Sequence, residues 1–169
     1  MKKLIVVLAA VAMAAGVQAN TLQWGLNATG GALDTTKFAN ATVYLMSSAT
    51  AMTPPTATDG AASYSTANLT AGTQLLTGSM TAGEFSGADL ITSMSGKTYF
   101  YLAVISDDGK NLAISTTTKT ANMGTGTGNT ALKWTAAQFT VYSAAVPEPT
   151  SGLLMLVGLG ALALRRRKA

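Results

Sequence analysis

Between residues 20 and 145 the apolar side chains come in short runs, and Gly, Asn, Asp and Pro separate the runs. Within the runs apolar positions alternate with polar or small ones, and β-branched and aromatic residues gather there, which is the signature of strands. Leu22, Trp24 and Leu26 mark a first strand. In Ala41–Ser47 (ATVYLMS), Val43 and Leu45 point one way and Tyr44 and Met46 the other. Thr98–Ser106 (TYFYLAVIS) is apolar on both faces and predicts a central strand buried on both sides. Asp107-Asp108-Gly109-Lys110 then forms a turn, with Gly109 supplying the positive φ, and the chain returns through Leu112–Thr116, so Tyr99–Ser115 is a hairpin. Leu132 and Trp134 lead into Gln138–Tyr142, where Phe139 and Val141 share a face.

The intervening stretches predict loops. Met52–Ser63, with its proline pair and small residues, is an exposed connection. Thr81–Gly96 is a loop with a short helical turn around Ala88–Thr92. Asn122–Asn129 (NMGTGTGN) is a flexible hairpin loop. No internal repeat is evident. The pattern predicts an all-β domain, a small antiparallel sandwich or partly open barrel.

Both ends break this pattern. Lys2 and Lys3 precede an apolar run from Leu4 to Ala15, and Val17-Gln18-Ala19 places small residues where a signal peptidase reads them. Residues 1–19 are therefore expected to be a secretory signal peptide, cut between Ala19 and Asn20. At the other end, Ser151–Leu164 is an apolar stretch of 14 residues followed by Arg165, Arg166, Arg167 and Lys168. As a helix it is about 21 Å long at ~1.5 Å per residue. A bilayer core is about 30 Å thick, so it inserts as a short transmembrane helix that fits poorly. The four cations form a stop that stays in the cytoplasm. Pro147 and Pro149 push Val146 and Glu148 toward extended backbone.

Charge reads differently once the ends are set aside. The whole chain has a formal net charge of +4. Residues 20–145 carry five lysines against six acidic residues, a net charge of −1. Without a basic patch on the folded part, no nucleic-acid partner is expected. The chain has no cysteine and no histidine. An exported domain of this kind draws its stability from its core rather than from disulfides. It also lacks the residues for thiol nucleophiles, Cys/His metal sites and Ser-His-Asp triads.

The remaining chemical candidates have bland readings. Gly124, Gly126 and Gly128 lack the spacing, and the strand-to-helix context, of a phosphate loop. Asp107–Asn111 offers oxygen ligands, but neither the EF-hand spacing nor its final Glu is present, so a turn is expected and no metal. Glu84 and Asp89 would form a glycosidase-like carboxylate pair only if the fold brought them together. Trp24, Trp134 and the tyrosines can stack on sugar rings, although strand-like alternation places most of them in a core. Asn-x-Thr sequons stand at Asn27, Asn40 and Asn68, as chance allows in a threonine-rich chain. No catalytic residue, cofactor or metal is assigned.

Val146-Pro147-Glu148-Pro149-Thr150, the Gly/Leu-rich helix Ser151–Leu164 and the basic stop Arg165–Lys168 together closely resemble the PEP-CTERM sorting signal. The resemblance covers the last 24 residues or so. It implies an exported protein of a Gram-negative bacterium or related phylum. It also implies handling by an exosortase, a membrane-embedded cysteine transpeptidase-like enzyme, at an envelope often rich in exopolysaccharide. Three segments result: signal peptide 1–19, β domain 20–145 and sorting signal 146–169. The function expected is that of a non-catalytic cell-surface or matrix protein. Its precursor inserts transiently in the inner membrane, and the product reaches the envelope, the outer surface or the medium. Its export partners are signal peptidase and exosortase, with exopolysaccharide or other envelope components beyond them. The alternative is a carbohydrate-binding β-sandwich that recognises envelope polysaccharide.

Overall fold

A computed structural model of the chain describes residues 20–26, 32–91, 94–123 and 129–145. The expected signal peptide and transmembrane helix lie outside them, as do Asn27, Thr92 and the glycines 124, 126 and 128. Nine strands run in chain order: β1 (Asn20–Leu26), β2 (Thr42–Ser48), β3 (Thr73–Ser79), β4 (Phe85–Ile91), β5 (Gly96–Ile105), β6 (Asn111–Ser115), β7 (Lys119–Met123), β8 (Asn129–Trp134) and β9 (Phe139–Ser143). The described residues contain two 3-10 turns and no α-helix. They form a three-stranded sheet ordered β4-β1-β8 and a six-stranded sheet ordered β3-β2-β5-β6-β9, with β7 also on β5. The all-β expectation holds. One pairing departs from the antiparallel scheme, because β1 runs parallel to β8.

A core joins the two sheets. Leu22, Trp24, Leu26, Leu132 and Trp134 from the smaller sheet pack with Val43, Leu45, Phe100, Leu102 and Val104 from the larger. Period-two alternation is what delivers these residues to one face of each strand. The loop before β2 contributes Leu33 and Phe38 to the same core. Asp34 shapes that loop: its Oδ1 accepts from the Thr36 hydroxyl at 2.6 Å and the Thr36 amide at 2.9 Å. These contacts, the hydroxyl first, hold the Asp34 carboxyl below the usual range.

The opposite face of β5 is buried by different means. Tyr101, Ala103 and Ile105 pack with Met46, Leu112, Ile114, Tyr64 and Leu69. The last two belong to the long connection between β2 and β3. Met52, Ala57 and Ala61 also lean on this cluster, so the stretch read as an exposed connection is a cover laid on the outer face of the large sheet. That cover explains why Thr98–Ser106 is apolar on both sides.

The β5–β6 hairpin forms around the predicted turn, pairing Ala103–Ile105 with Leu112–Ile114. Its expected span from Tyr99 is shortened, because Tyr99 and Phe100 pair with β7. Ser106 N–H donates to the Asn111 carbonyl at 2.9 Å, and Gly109 sits at φ 65°. Asp108 Oδ1 accepts from the Ser106 hydroxyl at 2.6 Å and the Lys110 amide at 2.9 Å. These bonds, the hydroxyl above all, hold its carboxyl below the usual range.

Beyond the hairpin, β6 and β7 share one edge of β5. β6 takes Ala103–Ile105 and β7 takes Gly96–Phe100. At the seam the buried Leu102 N–H donates instead to the Ser115 hydroxyl at 3.1 Å, and that hydroxyl donates to the Thr117 carbonyl at 3.2 Å. Replacing Ser115 with alanine strands this amide in the core. We expect a loss of about 1–3 kcal/mol, the usual cost of an unsatisfied buried donor, read as a lower urea midpoint with unchanged slope.

Three expectations require correction. Ala88–Ile91 is not helical; it lies within β4, whose full length pairs with β1. Phe85, Gly87, Asp89 and Ile91 are its more buried positions, a period of two that the small residues of this stretch disguised. Asn122–Asn129 is no hairpin loop either, because β7 pairs in the larger sheet and β8 in the smaller, so this connection crosses between them. Leu132 and Trp134 do not run on into one strand with Phe139. A 3-10 turn at Ala136–Gln138 carries the chain back to the larger sheet, where Phe139 packs on the core and Val141 is left 42% exposed on an edge strand.

Candidate functional site

The carboxylates singled out from sequence do not meet. Glu84 lies one residue before β4 and Asp89 lies within it. Five residues of extended chain separate them by about 17 Å at ~3.3 Å per residue. Paired glycosidase carboxylates stand about 5–10 Å apart. Asp89 also has a structural occupation, since Trp24 Nε1 donates to its Oδ2 at 2.6 Å. Glu84 is exposed on the rim of an open trough of about 580 Å³, with Leu26, Ser79, Thr81, Ser86 and Lys133. Lys133 Nζ donates to the Ser86 hydroxyl at 2.8 Å in this trough. This contact lies at the exposed surface.

Of the aromatic candidates, Trp24, Trp134, Tyr64 and Tyr101 are turned inward, and Tyr44, Tyr99 and Tyr142 are half-buried. Both tryptophans are fully buried. Trp24 stands against Phe85 with ring centroids 4.5 Å apart, tilted at 55°. The Phe85 ring in turn lies directly over Gly78 of β3, where any Cβ would overlap it. Trp134 Nε1 donates to the Thr117 carbonyl at 3.3 Å. Stacking a sugar on either tryptophan would mean opening the core.

Tyr101 is fully buried in the second cluster, and its hydroxyl has no hydrogen-bond partner. Burial pushes its pKa up to about 12. An unsatisfied buried hydroxyl costs about 1–3 kcal/mol, so Tyr101→Phe should stabilise by roughly 1 kcal/mol and raise Tm by about 3 °C. The alkaline limb checks the same point. The unfolded chain ionises a tyrosine near pH 10, so the native state loses this contribution as pH rises from about 10 to about 12. In Tyr101→Phe that decline should shrink. It persists in part because burial also raises Tyr64.

Of the sequons, Asn40 is exposed in the loop before β2. Asn68 is engaged: its Oδ1 accepts from the Ser65 amide at 2.9 Å, closing the cap of a 3-10 turn. Among the described residues no group of three or more acidic side chains is placed to hold a metal ion. Asp107–Asn111 forms the turn expected of it.

The most informative part of the described chain is its last stretch. Ser143 N–H donates to Asp59 Oδ1 at 2.8 Å. The Ser143 carbonyl accepts from Gly60 N–H at 2.8 Å and stands 3.1 Å from the Tyr64 hydroxyl, which also reaches the Thr58 carbonyl at 2.9 Å. Ala144 N–H donates to the Lys110 carbonyl at 2.7 Å and Ala145 N–H to the Ala61 carbonyl at 2.9 Å. The fold thus holds its backbone through Ala145, immediately before Val146-Pro147-Glu148-Pro149-Thr150. Sequence reasoning missed this contact, because Asp59 and Tyr64 are about 80 residues away along the chain and no local pattern marks them.

A family model for the PEP-CTERM protein-sorting motif matches residues 145–168. This agrees with the resemblance read from Pro-Glu-Pro, the apolar stretch and the basic end. No curated protein and no solved structure matches the chain.

Proposed function

We propose that this is an exported, non-catalytic cell-surface or matrix protein whose C-terminal signal is read and cut by an exosortase. The observation that carries the reading is the match to the sorting motif at residues 145–168. Signal peptidase removes residues 1–19 and exposes Asn20. The helix Ser151–Leu164 inserts transiently, with Arg165, Arg166, Arg167 and Lys168 as the cytoplasmic stop. Processing beside Val146–Thr150 then passes the β domain to the envelope or the medium.

The buried aromatics and the distance between Glu84 and Asp89 support a structural rather than a catalytic role. An all-β sandwich is compatible with the alternative, binding of envelope polysaccharide. The two tryptophans that alternative invoked lie in the core, which favours the structural reading, while Tyr44, Tyr99 and Tyr142 stay half-buried at the surface. Intact-mass measurement of the protein from its native host tests the sorting reading. The mature species is expected to begin at Asn20 and to lack the segment from about Thr150 onward. Mature protein that retains Arg165–Lys168 would reduce the tail to an anchor.

A further inference from the structure

The matched motif begins at Ala145, and the fold already holds Ala145. Domain and sorting signal therefore overlap, with no spacer between them. Val146–Thr150, fully extended, reaches at most about 17 Å. A domain of this size has a radius of gyration of about 14 Å, nearly as much. Any enzyme gripping Pro147–Pro149 thus works against the surface of the β domain while Ser143–Ala145 stays docked.

We propose that the loop Thr58–Tyr64 is a clasp on the last strand that restrains processing of the tail, which is efficient only when the clasp lets go. The restraint is built from separate pieces. Asp59 supplies a carboxylate to the Ser143 amide, Gly60 and Tyr64 supply donors at the Ser143 carbonyl, and Ala61 supplies its carbonyl to the Ala145 amide. The loop is itself seated by Tyr64, 3% exposed and packed in the second cluster, so the clasp rests on the body of the domain. Release of Ser143–Ala145 need not unfold the sheets, because β9 is an edge strand and the core between the sheets does not depend on those residues. The clasp gives a folded domain a way to set the rate at which it is freed. This inference rests on the sorting reading above.

Two full-length variants test it in the native host by pulse-chase from precursor to mature protein. Asp59→Ala with Tyr64→Phe removes two grips while keeping the buried ring. A ten-residue Gly/Ser spacer between Ala145 and Val146 leaves the clasp closed but moves the motif away. Both should be processed at least tenfold faster than wild type. Tenfold corresponds to about 1.4 kcal/mol, roughly one hydrogen bond's net contribution.

Hydrogen exchange on the purified precursor in detergent supplies the second readout. The Ser143 and Ala145 amides should exchange at least tenfold faster in the double variant, while Leu102 and Val104 stay protected and show that the core is intact. Unchanged or slower processing in the double variant with its core protected overturns the clasp, whatever the spacer variant does. Loss of protection at Leu102 transfers the decision to the spacer variant, whose domain is unaltered. A wild-type precursor that is never cut defeats the sorting reading first, and the clasp with it.

Discussion

Trp24→Ala should remove a large share of the domain's stability and lower its urea midpoint well below that of the wild type. The indole is fully buried on β1, between the sheets, and it touches Phe85 as well as the core of the larger sheet. Truncating a buried tryptophan costs about 3–5 kcal/mol. The whole stability of a domain this size is typically about 5–15 kcal/mol. The indole N–H adds a second loss, since its removal deprives Asp89 of its 2.6 Å donor. Trp24→Phe keeps most of the ring volume and should cost less, about 1–3 kcal/mol, chiefly through the abandoned carboxylate. Urea unfolding followed by circular dichroism measures both. The outcome also separates two functions. Were Trp24 a sugar platform, the alanine variant would unfold at the wild-type midpoint and lose only binding to polysaccharide.

Replacing Pro147-Glu148-Pro149 with three alanines should abolish processing, with the precursor accumulating in the inner membrane. Alanine removes the two rings that bias Val146 and Glu148 toward extended backbone, and it favours helix. The apolar stretch and the basic stop remain, so insertion is preserved while the grip is lost. Fractionation with intact-mass measurement should find the variant uncut, retaining Arg165–Lys168. In a host without an exosortase the unaltered precursor should behave the same way. Normal processing of the alanine variant would show that the Pro-Glu-Pro is not what the enzyme reads.

The two ends and the interior of this chain differ in how far local sequence determines them. The sorting signal was legible because its parts are contiguous: Pro-Glu-Pro, a short apolar stretch and four cations act in order along the chain, and the match at residues 145–168 agrees. The hairpin of β5 and β6 was legible for the same reason, with Gly109 and Asp108 building the turn from neighbours. Alternation likewise placed Leu22, Trp24, Val43 and Leu45 on core faces.

Tertiary structure decided the rest. β4 owes its strand to pairing with β1 more than to its own small residues, and β1 finds β8 in parallel more than 100 residues later. No local pattern encodes such partners, because they are chosen by which faces need covering once the sheets form. The role of Met52–Ser63 changed for that reason: a stretch that reads as a solvated loop lies on the second apolar face of β5, which would otherwise face water. The same long-range logic gave Asp89 to an indole rather than to Glu84, and brought Asp59 and Tyr64 to the end of β9. Sequence by itself determined that the chain is a β domain bearing a sorting signal. Only the packing of distant segments decided how tightly the one is fastened to the other.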